Sequence, residues 1–315
     1  MFNKFLNKVF SLLVLLKHGK MHPGIRYYYR DTYFCKFKQL RYIFKDYFIK
    51  ESYKEISFQG EFGAELLFVL PFAYWHFKNG TLKSTESAHL TNELYFFSPN
   101  HRESFRNRTT AGNYNYEISR VLYSQDYDID KWEKVPLKAH FKNDFYVFDK
   151  PILIIANRYN MEWDGPPVSY YDKEILSFII ENLEKKYTII YNRPGAQQIT
   201  MDNSEIYDLD EFNWLKLNYP QVILMEQLFA KNKANATSFN HLQLLVYANA
   251  DHFISVHGGT ATLASYFEGI NLILSSEGPE HHFGCFERLF PKLSGATIFH
   301  AKNNDEVRDF IVNKF

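Results

Sequence analysis

Cysteine is scarce in this chain of 315 residues, with Cys35 and Cys285 as the two thiols. Two cysteines cannot build a disulfide scaffold or a zinc cluster, which favours a reducing compartment, the cytoplasm, and removes structural metal from the options. The apolar run at residues 9–16 is far shorter than the roughly 20 residues of a membrane span, and no small-residue cleavage site follows it. The sequence therefore predicts neither a membrane-spanning helix nor a signal peptide.

Common nucleotide and catalytic motifs are missing as well. The chain has no G-x-G-x-x-G fingerprint and no G-K-[ST] phosphate loop, which argues against a dinucleotide oxidoreductase and a P-loop NTPase. It has no G-x-S-x-G elbow, and Cys285 has no recognisable nucleophile signature around it. The adjacent His281 and His282 lie near Glu277 and Glu280, but adjacent histidines project differently, so we expect no metal site.

The net charge of zero hides an uneven distribution. Residues 1–50 carry eleven Lys and Arg against two acidic residues, Asp31 and Asp46, so the remainder of the chain is net acidic. That acidity, with no nucleic-acid motif, argues against nucleic acid as a partner.

The basic first segment begins with an amphipathic helix. Its apolar residues recur at helical spacing: Phe2, Phe5, Leu6, Val9, Leu12, Leu13 and Leu16. Residues 26–50 then interleave aromatic residues with Lys and Arg, a composition suited to anionic headgroups. The sequence predicts an arm at residues 1–50 that lies on an anionic membrane surface. The alternative is a helix that only covers its own domain.

The remaining chain alternates between strand and helix patterns. In the first half we expect a strand at 55–58, a turn at 60–63, a helix at 64–77 kinked at Pro71 and a strand at 93–97, with 98–145 unassigned. In the second half, strands at 151–156, 187–191, 222–225, 252–256 and 271–275 alternate with helices at 172–186, 210–218, 239–248 and 260–268, before a last helix at 304–313. Continuous apolar strands are typical of a parallel sheet buried on both faces. We therefore expect α/β domains at 51–150 and 151–315, the second doubly wound.

The loop after the strand at 252–256 is the most informative one. It connects that strand to the start of the next predicted helix, and it contains His257, Gly258, Gly259 and Thr260, with Thr262 just beyond. Backbone N–H groups, hydroxyls and the positive end of the helix dipole converge there, so the loop predicts a phosphate site. A glycine turn required only for close packing is the alternative.

Short segments resemble one known group of enzymes. The run FISVHGGTATLASYFEGINLIL at 253–274, with residues 294–296, is similar to the C-terminal nucleotide-sugar half of GT-B glycosyltransferases from bacterial lipopolysaccharide and capsule gene clusters. Similar segments are NRYNMEW at 157–163, IIYNRP at 189–194, FNHLQLL at 239–245, GEFGAEL at 60–66 and PFAYWHFKNGTL at 71–82. The resemblance implies a GT-B-like fold with two Rossmann-like domains facing a cleft. It also implies a nucleotide-diphosphate sugar donor and a glycan or lipid-linked acceptor on the cytoplasmic face of a membrane.

The chemistry of such a transfer predicts roles for several residues. An acceptor hydroxyl requires a base, and Glu61, in the first strand-to-helix loop, is the candidate, with Glu65 as its competitor and helix capping as its alternative role. Arg158 and Arg193 each follow a buried strand, where a diphosphate would lie. An ion pair, for instance with Glu162, is the alternative for either arginine.

Three further residues are predicted to contact the nucleoside. Asn240 and Gln243 share a helix face by their spacing, with a helix cap as the alternative for Asn240, and Glu277 follows the next strand where it would accept ribose hydroxyls. We expect an inverting, metal-independent transfer with no cofactor beyond the donor. The rival interpretation is a non-catalytic, membrane-associated protein that binds nucleotide sugars or carbohydrate.

Overall fold

The computed structural model describes residues 2–110, 112–118, 131–162, 165–195, 205–232 and 235–315. Within these residues the strands form two parallel sheets, one in each half of the chain, preceded by a pair of helices. Residues 111 and 119–130 of the unassigned stretch, and Trp163 of the NRYNMEW segment, lie outside the described residues.

The first sheet has the strand order β1-β2-β3, with β1 at Lys54–Ser57, β2 at Leu82–Ala88 and β3 at His101–Phe105. The position of β1 agrees with the prediction, whereas β2 and β3 were not predicted because their sequences are largely polar. The predicted strand at 93–97 is wrong, since Asn92–Tyr95 forms a 3₁₀ helix. The Glu103 carboxylate accepts the N–H groups of Thr91 and Asn92 at 2.9 and 2.8 Å, which stabilises the start of that turn.

The second sheet contains six parallel strands. They are β4 (Ile152–Ala156), β5 (Thr188–Asn192), β6 (Ile223–Leu224), β7 (His252–Val256), β8 (Ile270–Leu274) and β9 (Thr297–Ala301). Their order, β6-β5-β4-β7-β8-β9, is that of a dinucleotide-type doubly wound sheet, with the first strand beside the fourth. The strand β4 is buried along its whole length, as its apolar run predicts. Two halves built on parallel sheets confirm the α/β class, with the second half doubly wound. The strand β9 was not predicted.

The helices precede, connect and follow these strands. They are α1 (Phe2–His18), α2 (Pro23–Leu40), α3 (Phe62–Ala64), α4 (Leu70–Lys78), α5 (Leu137–Phe141), α6 (Lys173–Leu183), α7 (Glu211–Asn218), α8 (Met225–Lys231), α9 (Phe239–Ala248), α10 (Gly259–Ala264), α11 (Pro279–His282), α12 (Cys285–Arg288), α13 (Phe290–Ser294) and α14 (Asn304–Lys314). The predicted helices of the second half are present within a few residues. The short helices α5, α8 and α11 to α13 were not predicted, since pieces of four to seven residues carry little periodicity.

The helical segment from α3 to α4 contains a π-helical turn at Glu65–Val69, which ends two residues before Pro71. Proline has no N–H to donate to the carbonyls one turn earlier, so those carbonyls need other partners. The Tyr266 hydroxyl donates to the Leu66 carbonyl at 2.6 Å, and the Trp132 indole donates to that of Leu67 at 3.1 Å. The predicted irregularity at Pro71 is therefore a π-helical turn, and Tyr266 of the second half and Trp132 of the first half donate to its carbonyls.

The two halves share one apolar core. Leu66, Leu67 and Phe72 of the first half belong to the same buried cluster as Phe253 and Phe267 of the second. A separate cluster fills the opposite face of the second sheet, beneath α6 and α14. The predicted domain boundaries at residues 50 and 150 stay a prediction.

The predicted amphipathic helix is present as α1, but the side chains that it buries are not those of the whole predicted apolar face. Leu6, Phe10 and Val14 are buried, with Leu6 and Phe10 in one cluster with Phe34 of α2. Other members of the apolar face stay exposed, namely Phe5, Leu12, Leu13 and Leu16. No helix among the described residues is long and apolar enough to cross a membrane.

Candidate functional site

The strand order places a switch point between β4 and β7. From β4 the sheet continues through β5 to β6, and from β7 it continues in the opposite direction through β8 to β9. This reversal leaves a crevice at the carboxyl ends of β4 and β7. The loop after β4 carries Asn157 and Arg158, and the loop after β7 carries His257 and Gly258. Ligands of doubly wound proteins bind at this position, so these two loops form the candidate site.

Arg158 and His257, predicted from separate segments, lie together. The Arg158 guanidinium donates from Nη1 to the His257 carbonyl at 3.3 Å. A Cβ built on Gly258 would lie 2.6 Å from the same Nη1, so the arginine runs directly against the glycine turn. One cation is thereby held at the turn, with a fifth of its side chain exposed.

Glu162, which the sequence named as an ion-pair partner, connects these residues. Its Oε2 lies 2.8 Å from His257 Nε2, and its Oε1 lies 3.7 Å from Arg158 Nη2. Burial alone would raise the pKa of Glu162, but the hydrogen bond and charge of His257 and the charge of Arg158 lower it. Glu162 therefore stays ionised and pairs with two neighbours. Its spacing of four residues from Arg158 was the sequence signal for the contact.

The His257 ring lies inside the protein rather than in the crevice. Its Nδ1 is 3.2 Å from Ser275 Oγ, and the residue is buried. Both ring nitrogens therefore have protein partners. Its contribution to the crevice is the backbone of the loop it fixes.

The glycine turn has a conformation that requires glycine. Gly258 has φ 82° and ψ −152°, a region that other residues rarely adopt, and Thr262 Oγ1 donates to its carbonyl at 2.9 Å. Thr260 is half-buried at the first turn of α10. The turn is thus a rigid backbone surface beside Arg158.

The first half of the chain meets this turn from the opposite side. A Cβ on Gly63 would lie 3.3 Å from the Gly259 nitrogen, and a Cβ on Gly259 would lie 2.9 Å from Phe62 Cδ1. Glu61, the predicted base, directly precedes these two residues, is exposed and makes no capping hydrogen bond with its side chain. The structure therefore places Glu61 beside the glycine turn and argues against its capping role.

Glu65 is unsuited to compete with Glu61 as the base. It is fully buried, forms an ion pair with Arg108 and accepts the Tyr95 hydroxyl at 2.6 Å. Arg108 in turn donates to the Gly60 carbonyl at 2.8 Å, so this buried network supports the loop that carries Glu61.

Arg193 differs from Arg158 in its surroundings. Its Nη2 donates to Glu211 Oε2 at 3.1 Å, its Nε contacts the other carboxylate oxygen, and the guanidinium lies over the Phe212 ring. Burial opposes its charge, but the hydrogen bonds and charge of Glu211 raise the pKa of Arg193. Its predicted role toward a diphosphate stays a prediction, and the structure shows it in an ion pair.

The predicted nucleoside contacts lie in two places. Asn240 and Gln243 are buried: Asn240 donates to the Leu90 carbonyl at 2.8 Å, and Gln243 accepts from Asn192 at 2.6 Å. The capping alternative for Asn240 is wrong, because Ser238 is the cap and accepts the His241 N–H. Glu277 is exposed after β8.

A cavity of about 460 Å³ opens between the halves near Asn240. Leu90, Asn92, Glu93 and Glu103 line it from the first half, and Thr237 and Ser238 from the second. The volume is ordinary for a small-ligand site. Among the described residues, no three or more His, Cys, Asp and Glu are placed to hold a metal ion, and this includes His281 and His282 with Glu277 and Glu280.

No protein-family model and no curated protein matches the sequence. Among solved structures, the chain is similar to the ADP-heptose LPS heptosyltransferase II of E. coli, with a TM-score of 0.49, 8% identity and coverage of 82% of this chain and 98% of that one. It is also similar to the E. coli heptosyltransferase WaaC with ADP, with a TM-score of 0.37, 13% identity and coverage of 88% and 78%.

Proposed function

We propose that this protein is a glycosyltransferase that moves a sugar from a nucleotide-diphosphate donor to a glycan or lipid-linked acceptor. One observation carries the proposal. At the switch point of the second sheet, Arg158 runs against the Gly258 turn, and the loop with Glu61 contacts the same turn from the other half. The glycine turn beside Arg158 and the loop that carries Glu61 thus meet at the switch point.

The diphosphate would bind at the glycine turn. Arg158 supplies charge-assisted hydrogen bonds, and the backbone N–H groups of Gly259 and Thr260 supply further donors at the start of α10. Because Gly258 lacks a side chain, the Arg158 guanidinium lies directly against the turn. We infer that these groups replace a metal ion in neutralising the leaving diphosphate. Glu277 would accept ribose hydroxyls beside it.

The transfer step requires one base. Glu61 takes the proton of the acceptor hydroxyl while the oxygen of that hydroxyl forms a bond to the anomeric carbon. The bond from that carbon to the diphosphate oxygen breaks on the opposite side, and the nucleoside diphosphate leaves with the electron pair. A single displacement of this kind inverts the anomeric centre. The cavity lined mainly by the first half lies on the acceptor side.

We also propose that α1 attaches the protein to the cytoplasmic face of an anionic membrane. Its exposed apolar side chains and its lysines suit the bilayer interface. Removing residues 1–20 should release the protein from anionic liposomes, and salt should weaken binding of the intact chain. Intact protein that ignores anionic liposomes at low salt would leave α1 as a domain cover.

The direct test is release of nucleoside diphosphate from a panel of ADP-, UDP-, GDP- and dTDP-sugars in the presence of acceptor extracts, with and without EDTA. We expect turnover of at least one donor and no loss with EDTA. Donor binding without turnover would instead support the non-catalytic binding protein.

A further inference from the structure

A compact apolar surface lies at the end of α2, outside α1 and the crevice. Within residues 40–49, large side chains stay exposed at Leu40, Ile43, Phe44, Phe48 and Ile49, and Phe44 and Phe48 are 65% and 71% accessible. We call this segment the aromatic turn. Soluble proteins rarely expose so many large apolar side chains in ten consecutive residues unless the surface binds something.

The aromatic turn is fixed from behind by buried polar contacts. It includes a π-helical turn at Lys45–Ile49, in which Asp46 is fully buried. Lys131 forms an ion pair with the Asp46 carboxylate, and the Tyr53 hydroxyl donates to it. Asn79 donates to the Asp46 carbonyl at 2.6 Å. Because the polar side of the turn is held inside the protein, its apolar side chains are presented outward.

The rings at the tip are also ordered relative to each other. Phe44 and Phe48 stack with their centroids 5.6 Å apart. A preformed ring pair loses little conformational entropy when it enters an apolar environment. This arrangement suits insertion of the tip as a unit.

The exposed charges within the aromatic turn are positive, and one exposed carboxylate, Glu51, follows directly after it. Arg41, Lys45 and Lys50 are exposed beside the apolar side chains. The two acidic residues of the first fifty positions, Asp31 and Asp46, are both buried, so residues 2–50 expose cations and no carboxylate. A second copy of the chain on this surface would bring like charges together, whereas an anionic lipid surface would neutralise them.

We propose that the aromatic turn is a membrane-inserting element, separate from α1, that enters the interface of an anionic bilayer with Leu40, Ile43, Phe44 and Phe48. Arg41, Lys45 and Lys50 contact lipid phosphates around it. The inference does not depend on the transfer reaction, because it concerns a surface away from the switch point. It adds a second contact, which would fix the orientation of the protein on the membrane.

The test compares vesicle binding of the full chain and two matched variants. Vesicles of phosphatidylglycerol and phosphatidylcholine are sedimented with wild type, with Phe44→Ser/Phe48→Ser and with Phe145→Ser, which alters a phenylalanine that is 72% exposed outside the segment. We expect the double variant to bind at least about tenfold more weakly, and Phe145→Ser to bind like wild type. All three should share one melting temperature, because the substituted rings are exposed.

A second measurement locates the turn directly. The fluorescence of Phe48→Trp, read as the difference from wild type, should shift to the blue on vesicles and be quenched by brominated lipids. Wild-type affinity in the double variant, or no quenching at position 48, would overturn the proposal. Dimers in lipid-free solution that the double variant abolishes would assign the surface to a second copy instead.

Discussion

Glu61 and Glu65 illustrate how position on a helix decides the use of a carboxylate. Glu65 donates its N–H to the Glu61 carbonyl one turn earlier, yet its side chain lies in a buried ion pair with Arg108 while that of Glu61 is exposed beside the glycine turn. The two were competing candidates in the sequence. The difference depends on Arg108 and Tyr95, which lie 43 and 30 residues away, so no local pattern predicts it.

Glu61→Gln should reduce transfer by on the order of 100-fold while leaving donor affinity nearly unchanged, because glutamine retains the shape but cannot take a proton. Steady-state turnover and calorimetric donor binding measure the two effects. Glu65→Gln is the comparison, and we expect a lower melting temperature from its broken buried ion pair. Normal turnover in Glu61→Gln would place the base elsewhere.

Arg158 and Arg193 show the same limit of sequence reasoning. Each follows a buried strand, and the sequence assigned both to a diphosphate. Glu211, on a helix 18 residues beyond Arg193, accepts its guanidinium, whereas Arg158 runs against Gly258. Strand ends were predictable from apolar runs, and the contact of Arg158 with Glu162 from their spacing of four residues. The contact of Arg193 with Glu211 was not predictable.

At the scale of elements, the π-helical turn before Pro71 joins the two halves. The carbonyls of Leu66 and Leu67 accept Tyr266 and Trp132 instead of helix N–H groups. Pro71 predicted an irregular helix, but the phenol that compensates for it lies 200 residues away. Likewise, the polar strands β2 and β3 gave no apolar signal, whereas the buried strands of the second sheet did.

Tyr266→Phe should destabilise the protein by about 1–3 kcal/mol, because it leaves the buried Leu66 carbonyl without its donor. Tyr187→Phe is the control, since its hydroxyl donates to the Phe315 carbonyl at 3.3 Å near the surface. Urea unfolding measures both. Equal effects would mean that the Leu66 carbonyl finds another donor.

At the scale of the whole molecule, buried histidines should make the fold sensitive to acid. Burial, with the charges of Lys54 and Lys131, lowers the pKa of His76 from 6.5 to about 2, and burial lowers that of His101 to about 4. Below pH 6.5 the unfolded chain binds protons that the folded chain excludes. The stability from neutral His76 is therefore complete above pH 6.5 and is lost as the pH falls toward 2.

His76→Asn should retain a partner for Thr81, whose hydroxyl lies 2.7 Å from His76 Nδ1, and remove the titration. Between pH 6 and pH 4, we expect the unfolding free energy of the variant to fall less steeply than that of wild type, by about 1.4 kcal/mol per pH unit. Urea unfolding across this range measures the two slopes. Parallel curves would show that His76 is protonated in the folded state.

The account rests on a nucleoside diphosphate bound where the loops after β4 and β7 meet. Isothermal titration of wild type, Arg158→Gln and the surface control Arg308→Gln with ADP, UDP and GDP tests this claim most directly. We predict that at least one nucleotide binds wild type, that Arg158→Gln weakens its affinity by roughly 10- to 100-fold, and that Arg308→Gln leaves it unchanged. No binding by wild type, or equal affinity in Arg158→Gln, would contradict the account.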